Sequence, residues 1–223
     1  MPEASARAAA ATGEAAPTRD AARSRAVIID AAEELFAQRG FASTSLGDIG
    51  TLAGLSRGTP SYFYGSKEQL YVAVLERVFA AREEATARAF APLHEWAATG
   101  AGTLDRALTH AVEGYMGFLL ARPTFVRLVE WEELEGGQRL RATPRASRAI
   151  EDAFAATRAV ARRRGLRAFS VEDAVLLFVS LTFSPLAQTS TFMATLGRDL
   201  TEAATLRRHV RFVVAQLRHA LED

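Results

Sequence analysis

Between Ser45 and Glu68 the chain reads Ser-Leu-Gly-Asp-Ile-Gly-Thr-Leu-Ala-Gly-Leu-Ser-Arg-Gly-Thr-Pro-Ser-Tyr-Phe-Tyr-Gly-Ser-Lys-Glu, two short helical runs of unlike character on either side of a glycine turn. Ser45 with Asp48 three residues on predicts an N-cap, a hydroxyl for the orphan amides and a carboxylate at the positive helix end. Leu46, Ile49, Leu52 and Ala53 then share one apolar stripe, so the first run is read as a support helix. Gly54 is its predicted stop and Leu55 the plug between the two runs. Ser56 is placed to cap the second run, in which Arg57, Gly58, Thr59, Ser61 and Tyr62 are polar or aromatic where a core helix is apolar. Pro60, without an amide hydrogen, predicts a late or tightened start. Gly50 costs its helix about 1 kcal/mol against alanine. Both departures from propensity point to a close backbone approach. A helix with such a face suits the major groove of duplex DNA, its early residues reaching base edges and its flanks holding phosphates.

The surroundings agree with a small helical unit. Upstream, Val27, Ala31 and Leu35 recur beside Ile28, Ala32 and Phe36, with Asp30, Glu33, Glu34 and Gln38 read as the opposite, solvated side and Gly40 as the stop. Downstream, Leu70, Val72, Val74, Leu75, Val78 and Phe79 open a long helix leading into the rest of the chain. The net charge of +1 argues against a strong nonspecific DNA binder, so charge has to act locally; from Ser56 to Lys67 there are two cations and no acid. Lys67 is the only lysine among 27 basic residues.

This run resembles the DNA-binding domain of the TetR/AcrR family of one-component transcriptional regulators. The family's pattern appears as Thr44 and Ser45, Ile49-Gly50, Ala53-Gly-Leu-Ser56, Gly58-Thr-Pro-Ser61, Tyr64 and Ser66-Lys-Glu-Gln-Leu70. Gly50 stands where the family usually has alanine, and Pro60-Ser61 where it usually has Leu-Tyr. The family's phosphate-binding tyrosine is thus absent at Ser61, leaving part of that task to Tyr62 or Tyr64. On this reading Arg57 is first for base contact, with Thr59 and Tyr62 next; Thr44, Ser45, Ser56, Ser61, Tyr64 and Lys67 complete the DNA-binding set, largely as phosphate or sugar contacts.

The expected fold is all-α: an arm at 1–20, a helix-turn-helix domain at 21–82, and a larger helical domain at 83–223. Helices are expected at 70–96, 104–120, 124–134, 146–164, 171–196 and 200–221, interrupted at Thr99-Gly-Ala-Gly-Thr103, Arg122-Pro123, Gly136-Gly137, Gly165 and Gly197. The helix at 171–196 is apolar nearly all round, and with the last helix it forms either a dimer face or a monomer core. The resemblance favours the dimer, because the family pairs through its last long helices, and a two-fold dimer calls for a palindromic double-stranded operator.

The resemblance also implies a small-molecule inducer, apolar or amphipathic. Tyr115, Phe118, Trp131, Phe178 and Phe183 are the expected pocket residues, aromatics that could equally fill a core. Glu130, Glu132, Glu133 and Glu135 surround Trp131 and are read as a solvated helix face rather than as lining for a cation. The four histidines are isolated, and neither a phosphate-cradling loop nor a nucleophile elbow occurs, so no enzyme, metal or cofactor is expected. With no cysteine, no apolar run of about 18 residues and no basic-then-apolar leader, the chain is expected in the cytoplasm, away from membranes.

Overall fold

A computed structural model of the chain describes residues 19–164 and 171–222. The predicted arm, apart from its last two residues, and the predicted break at Gly165 lie outside the described residues. Arg19 and Asp20 begin the first helix rather than ending an arm.

Every regular element among the described residues is helical. The head consists of α1 (Arg19–Arg39), α2 (Leu46–Leu52) and α3 (Thr59–Tyr64), followed by α4 (Lys67–Thr99). Two cues set the first boundaries as expected. Ser45 Oγ accepts from the amide of Asp48 at 3.1 Å and donates to its carboxylate at 2.7 Å, starting α2. Gly54, at φ +69°, ends it, with the Leu55 amide returning to Gly50 O at 2.9 Å. The start of α4 is a reciprocal capping box between Ser66 and Gln69.

Beyond α4 come α5 (Leu104–Ala121), α6 (Pro123–Leu134), α7 (Gln138–Ala142), α8 (Pro144–Arg164), α9 (Val171–Thr182), α10 (Ser184–Ala187), a π-helical turn at Thr189–Met193, and α11 (Ala203–Glu222). The sequence reading missed α7. Its single helix at 171–196 is corrected to three pieces: Pro185 supplies no amide to the preceding turn, so α9 stops at Thr182 and the chain re-enters as α10. No helix among the described residues is long and apolar enough to cross a membrane.

Two apolar clusters hold the chain. One joins Ile28, Phe36, Ile49, Leu70, Tyr71 and Val74 of the head to Tyr115, Leu119, Phe125 and Leu128 of α5 and α6. The other packs Leu93, Leu108, Val112 and Met116 against Val210, Val213 and Leu217 of α11. Because the first cluster crosses from head to body, and α4 runs unbroken through the expected boundary at 82/83, a shift of α4 or α6 is felt under α1. Where α4 meets α5, Gly114 admits the approach: a β-carbon there would lie 2.6 Å from Ala89 Cβ.

Candidate nucleic-acid interface and cavity

The exposed side of the head is built around α3. Ser56, Arg57, Gly58, Ser61 and Tyr62 are exposed, Thr59 is half-buried, and Tyr62 reaches 83% exposure. Pro60 is the one buried residue of α3, at its second position, so the helix starts late, at Thr59, as the missing amide predicts. Arg57 accordingly lies in the turn before α3. Ser56 does not cap it through a backbone amide; its hydroxyl meets that of Thr59 at 2.7 Å.

Gly50 and Pro60, the two departures from propensity, explain each other. A β-carbon on Gly50 would lie 2.7 Å from Ser56 O, 3.1 Å from Arg57 Cα and 3.3 Å from Pro60 Cδ. The bare Gly50 lets the proline-led α3 sit directly on α2. Gly47 does the same for a side chain: the Arg57 guanidinium lies over it, with Nε 2.9 Å and Nη2 3.0 Å from where a β-carbon would be. Nearby, the hydroxyl of Ser45 holds the Asp48 carboxyl below the usual carboxylate range, helped by the charges of Arg39 and Arg57.

Three residues expected on phosphate have partners within the chain. Thr44 is 2% exposed, and its hydroxyl donates to Gly40 O at 2.9 Å and Leu35 O at 3.3 Å. Lys67 Nζ donates to Phe41 O at 3.0 Å and Thr44 O at 3.1 Å, with Ala42 O at 3.5 Å, while sitting 4.3 Å from the Phe41 ring centre. The only lysine is thus a clasp on the loop after α1. Tyr64 donates to Arg25 O at 3.0 Å as Arg25 donates to Phe63 O at 3.0 Å, fastening α3 to α1. Burial pushes the Tyr64 phenol above its usual range. Ser45 and Ser61 stay exposed beside Arg57, Thr59 and Tyr62.

Head and body meet through polar contacts that the sequence reading assigned to solvent. Glu33 is buried, against expectation; Arg77 at 2.9 Å, Arg122 at 3.5 Å and the Thr124 hydroxyl at 2.6 Å surround its carboxylate. Glu132 is 1% exposed and accepts from the Leu140 amide at 2.9 Å, so the α6 acidic run is not wholly a solvated face. Burial and the adjacent Glu132 charge raise the Tyr71 phenol far above its usual range. Arg139 caps the assembly, 4.0 Å from the Phe41 ring centre and 2.6 Å from Glu135.

In the body a cavity of about 680 Å³ opens between α4, α5, α8, α9 and α11. Of the expected pocket residues, Tyr115 and Phe178 line it, their rings 5.2 Å apart, and Phe90 joins them 5.3 Å from Phe178. The other three are not on this cavity's lining. Phe118 packs edge-on against Phe125 at 5.2 Å, and Phe183 belongs to the periphery of the first core. Trp131 faces the head, donating from Nε1 to Ala37 O at 3.1 Å with its ring against Gly40. Sequence reasoning missed Arg82, Phe90, Arg145 and Arg148 on the cavity wall. Arg82, Thr86, Phe90 and Leu93 recur at helical spacing, a polar-to-apolar stripe that could have found that wall.

A short exposed polar helix on a glycine-spaced support, joined by one long helix to an all-helical body with a cavity, is the architecture of a helix-turn-helix regulator with a separate helical domain. The profile described as bacterial regulatory proteins, tetR family, matches residues 28–74, and that described as tetracyclin repressor-like, C-terminal domain, matches residues 105–216. The chain belongs to the TetR family of bacterial regulatory proteins.

Among similar proteins, the HTH-type transcriptional repressor NicS of Pseudomonas putida is 29% identical over 119 residues, 53% of this chain and 52% of NicS. The HTH-type transcriptional regulator RutR of Escherichia coli is 45% identical over 62 residues, 25% of this chain and 29% of RutR. The chain therefore spans at most about half the length of the curated relatives it matches. In fold it is similar to the putative transcriptional regulator SCO4942 from Streptomyces coelicolor (TM-score 0.66, 24% identity, 89% of this chain and 98% of that one). It is likewise similar to a putative TetR-family regulator from Mesorhizobium loti (TM-score 0.66, 22% identity, 92% and 100%).

Proposed function

We propose that this chain is a transcriptional repressor that binds a palindromic double-stranded operator as a homodimer and leaves it when a small apolar or amphipathic ligand enters the body. It divides into a reading head at 21–82 and a sensing and pairing body at 83–223, with α4 common to both, and it works in the cytoplasm. The observation that carries this reading is the exposed rim formed by α3 and the turn before it: Arg57, Ser61 and Tyr62 are exposed and Thr59 half-buried beside them, while Pro60 anchors the helix from beneath. Arg57, Thr59 and Tyr62 are assigned to base edges, and Ser45, Ser56 and Ser61 to the sugar-phosphate backbone.

Release follows if the ligand prefers a body whose α4 and α6 are shifted, because both elements pack against the head and a shift in them would move the two heads of a dimer. Moving such an equilibrium from 1:99 to 99:1 takes a preference of about 5.5 kcal/mol between the two arrangements. Selection of bound duplexes from a random pool tests the reading. An inverted repeat is expected, with half-sites a helical turn or more apart; recovery of no enriched sequence, or of direct single sites only, overturns it.

A further inference from the structure

The charged groups lining the cavity crowd one end of it. Along α4 the wall runs from Arg82 through Thr86 and Phe90 to Leu93, 11 residues and about 16 Å at 1.5 Å per residue. Antiparallel to it, α5 places Tyr115 5.9 Å from the Arg82 guanidinium and Leu108 toward the far end. The first turns of α8 bring Arg145 and Arg148 to the Arg82 end. Arg145 is neutralised there, bonded to Glu83 at 2.6 Å and Glu76 at 3.1 Å. Neither Arg82 nor Arg148 has a carboxylate in ion-pair reach among the described residues, and the only lining carboxylate, Glu83, is already occupied by Arg145. His94 lies on the lining farther along α4, and the walls between are aromatic and aliphatic.

We infer that the cavity takes an amphipathic anion, its carboxylate or phosphate head on Arg82 and Arg148 and its extended apolar tail along Phe90, Val112 and Phe178. Arg82 is half-buried beside the Tyr115 ring and Arg148 is exposed on the same lining, so both keep donors that an anionic head can take through charge-assisted bonds. Among the described residues, a cationic amphipath finds no free carboxylate at this end. The glutamates of α6 do not line the cavity; Glu132 is taken by the Leu140 amide. This inference rests on the reading of the cavity as the effector site, and it names the charge and shape of the effector.

The test holds the tail constant and varies the head. Dodecanoate, dodecyl phosphate, dodecanol and dodecyltrimethylammonium are titrated calorimetrically into the full chain below their micelle concentrations, and each is then added to the operator complex. At least one anion is expected to bind about tenfold or more tighter than dodecanol, the scale of one charge-assisted bond, with the ammonium weakest. The two anions separate a carboxylate source from a phosphate source. R82Q/R148Q is expected to remove the anion preference and leave dodecanol affinity unchanged. In the unaltered chain, added salt is expected to weaken the anion and not the alcohol, a reading that needs no variant. Dodecanol or the ammonium binding as tightly as both anions overturns the inference, as does a preference that survives R82Q/R148Q or the absence of binding by all four. An anion bound through these arginines that leaves DNA affinity unchanged keeps the anion site and overturns the effector reading. A release of DNA indifferent to head group does the reverse.

Discussion

At the scale of single residues, two glycines, Gly47 and Gly50, and two cations, Arg57 and Lys67, decide how the reading helix is held. Gly50→Ala gains about 1 kcal/mol of helix propensity but forces a β-carbon against Ser56 O, a collision costing about 1 to 3 kcal/mol. Net destabilisation in urea melts is expected, with DNA affinity falling further because Arg57 and α3 are displaced together. Combined with Pro60→Ala, the loss is expected to be less than the sum of the single changes, since Pro60 Cδ is part of the same crowding. Gly47→Ala meets only the flexible end of Arg57, so it is expected to leave the melting temperature almost unchanged while altering sequence preference. Arg57→Ala itself should relax discrimination by roughly 1 to 3 kcal/mol. Lys67→Ala contrasts with it. The ammonium serves backbone carbonyls of Phe41 and Thr44, so its loss is expected to cost about 1 to 3 kcal/mol of stability and leave the salt slope of DNA binding unchanged. A slope reduced by one would return Lys67 to the phosphate contacts.

At the scale of elements, what could be read from the sequence was whatever local chemistry fixes. Ser45 with Asp48, Gly54, and the Pro60 delay each act within a few residues, and the boundaries of α2 and α3 follow from them. What could not be read depends on partners distant in the chain. Glu33 reads as solvated on α1, and only the arrival of Arg77, Arg122 and Thr124 makes its burial tolerable. Trp131 reads as pocket lining until Ala37 O is found at its indole nitrogen, and Lys67 as a phosphate contact until the loop closes over it. The apolar Tyr115 and Phe178 were found as cavity residues because the pocket is aromatic there; Arg82 and Arg148 were passed over because an arginine on a helix is ordinarily a surface residue. The interlock of α7 with the head is a direct consequence of such distant pairing. Phe41 lies between the Lys67 ammonium and the Arg139 guanidinium, 4.3 and 4.0 Å from its ring centre. Arg139→Ala removes one side of that clamp and the partner of Glu135. It is expected to cost about 1 to 2 kcal/mol in thermal melts, and to weaken the ligand's effect on DNA more than it weakens ligand binding itself. Equal loss of both would make Arg139 a packing residue and no more.

At the scale of the whole molecule, the apolar surface left uncovered is concentrated in the last third of the chain. Leu176 is 64% exposed, Phe192 58% and Phe212 51%, with Leu196 in the same late segments. Scattered exposed apolar residues need no explanation, but several large ones on neighbouring elements form a surface that the proposed pairing would cover. The same segments supply cavity walls. Phe178 of α9 closes on Phe90 and Tyr115 while its neighbour Leu176 faces outward, so a ligand that moves α9 moves both the cavity and the outward face. Pairing through α9 and α11 would thereby tie the spacing of the two heads to the cavity contents with no further moving part. The expected outcome of Leu176→Glu with Phe212→Glu is a monomer by sedimentation at concentrations where the unaltered chain is dimeric, because two carboxylates per chain would be carried into an apolar interface. Both positions are exposed in the single chain, so its fold should persist, with helical content unchanged by circular dichroism. Affinity for one half-site should then match the unaltered chain, while affinity for the full palindrome falls by about 100-fold or more as the second contact becomes bimolecular. A double variant that stays dimeric would place the pairing surface elsewhere and sever the proposed link between α9 and head spacing.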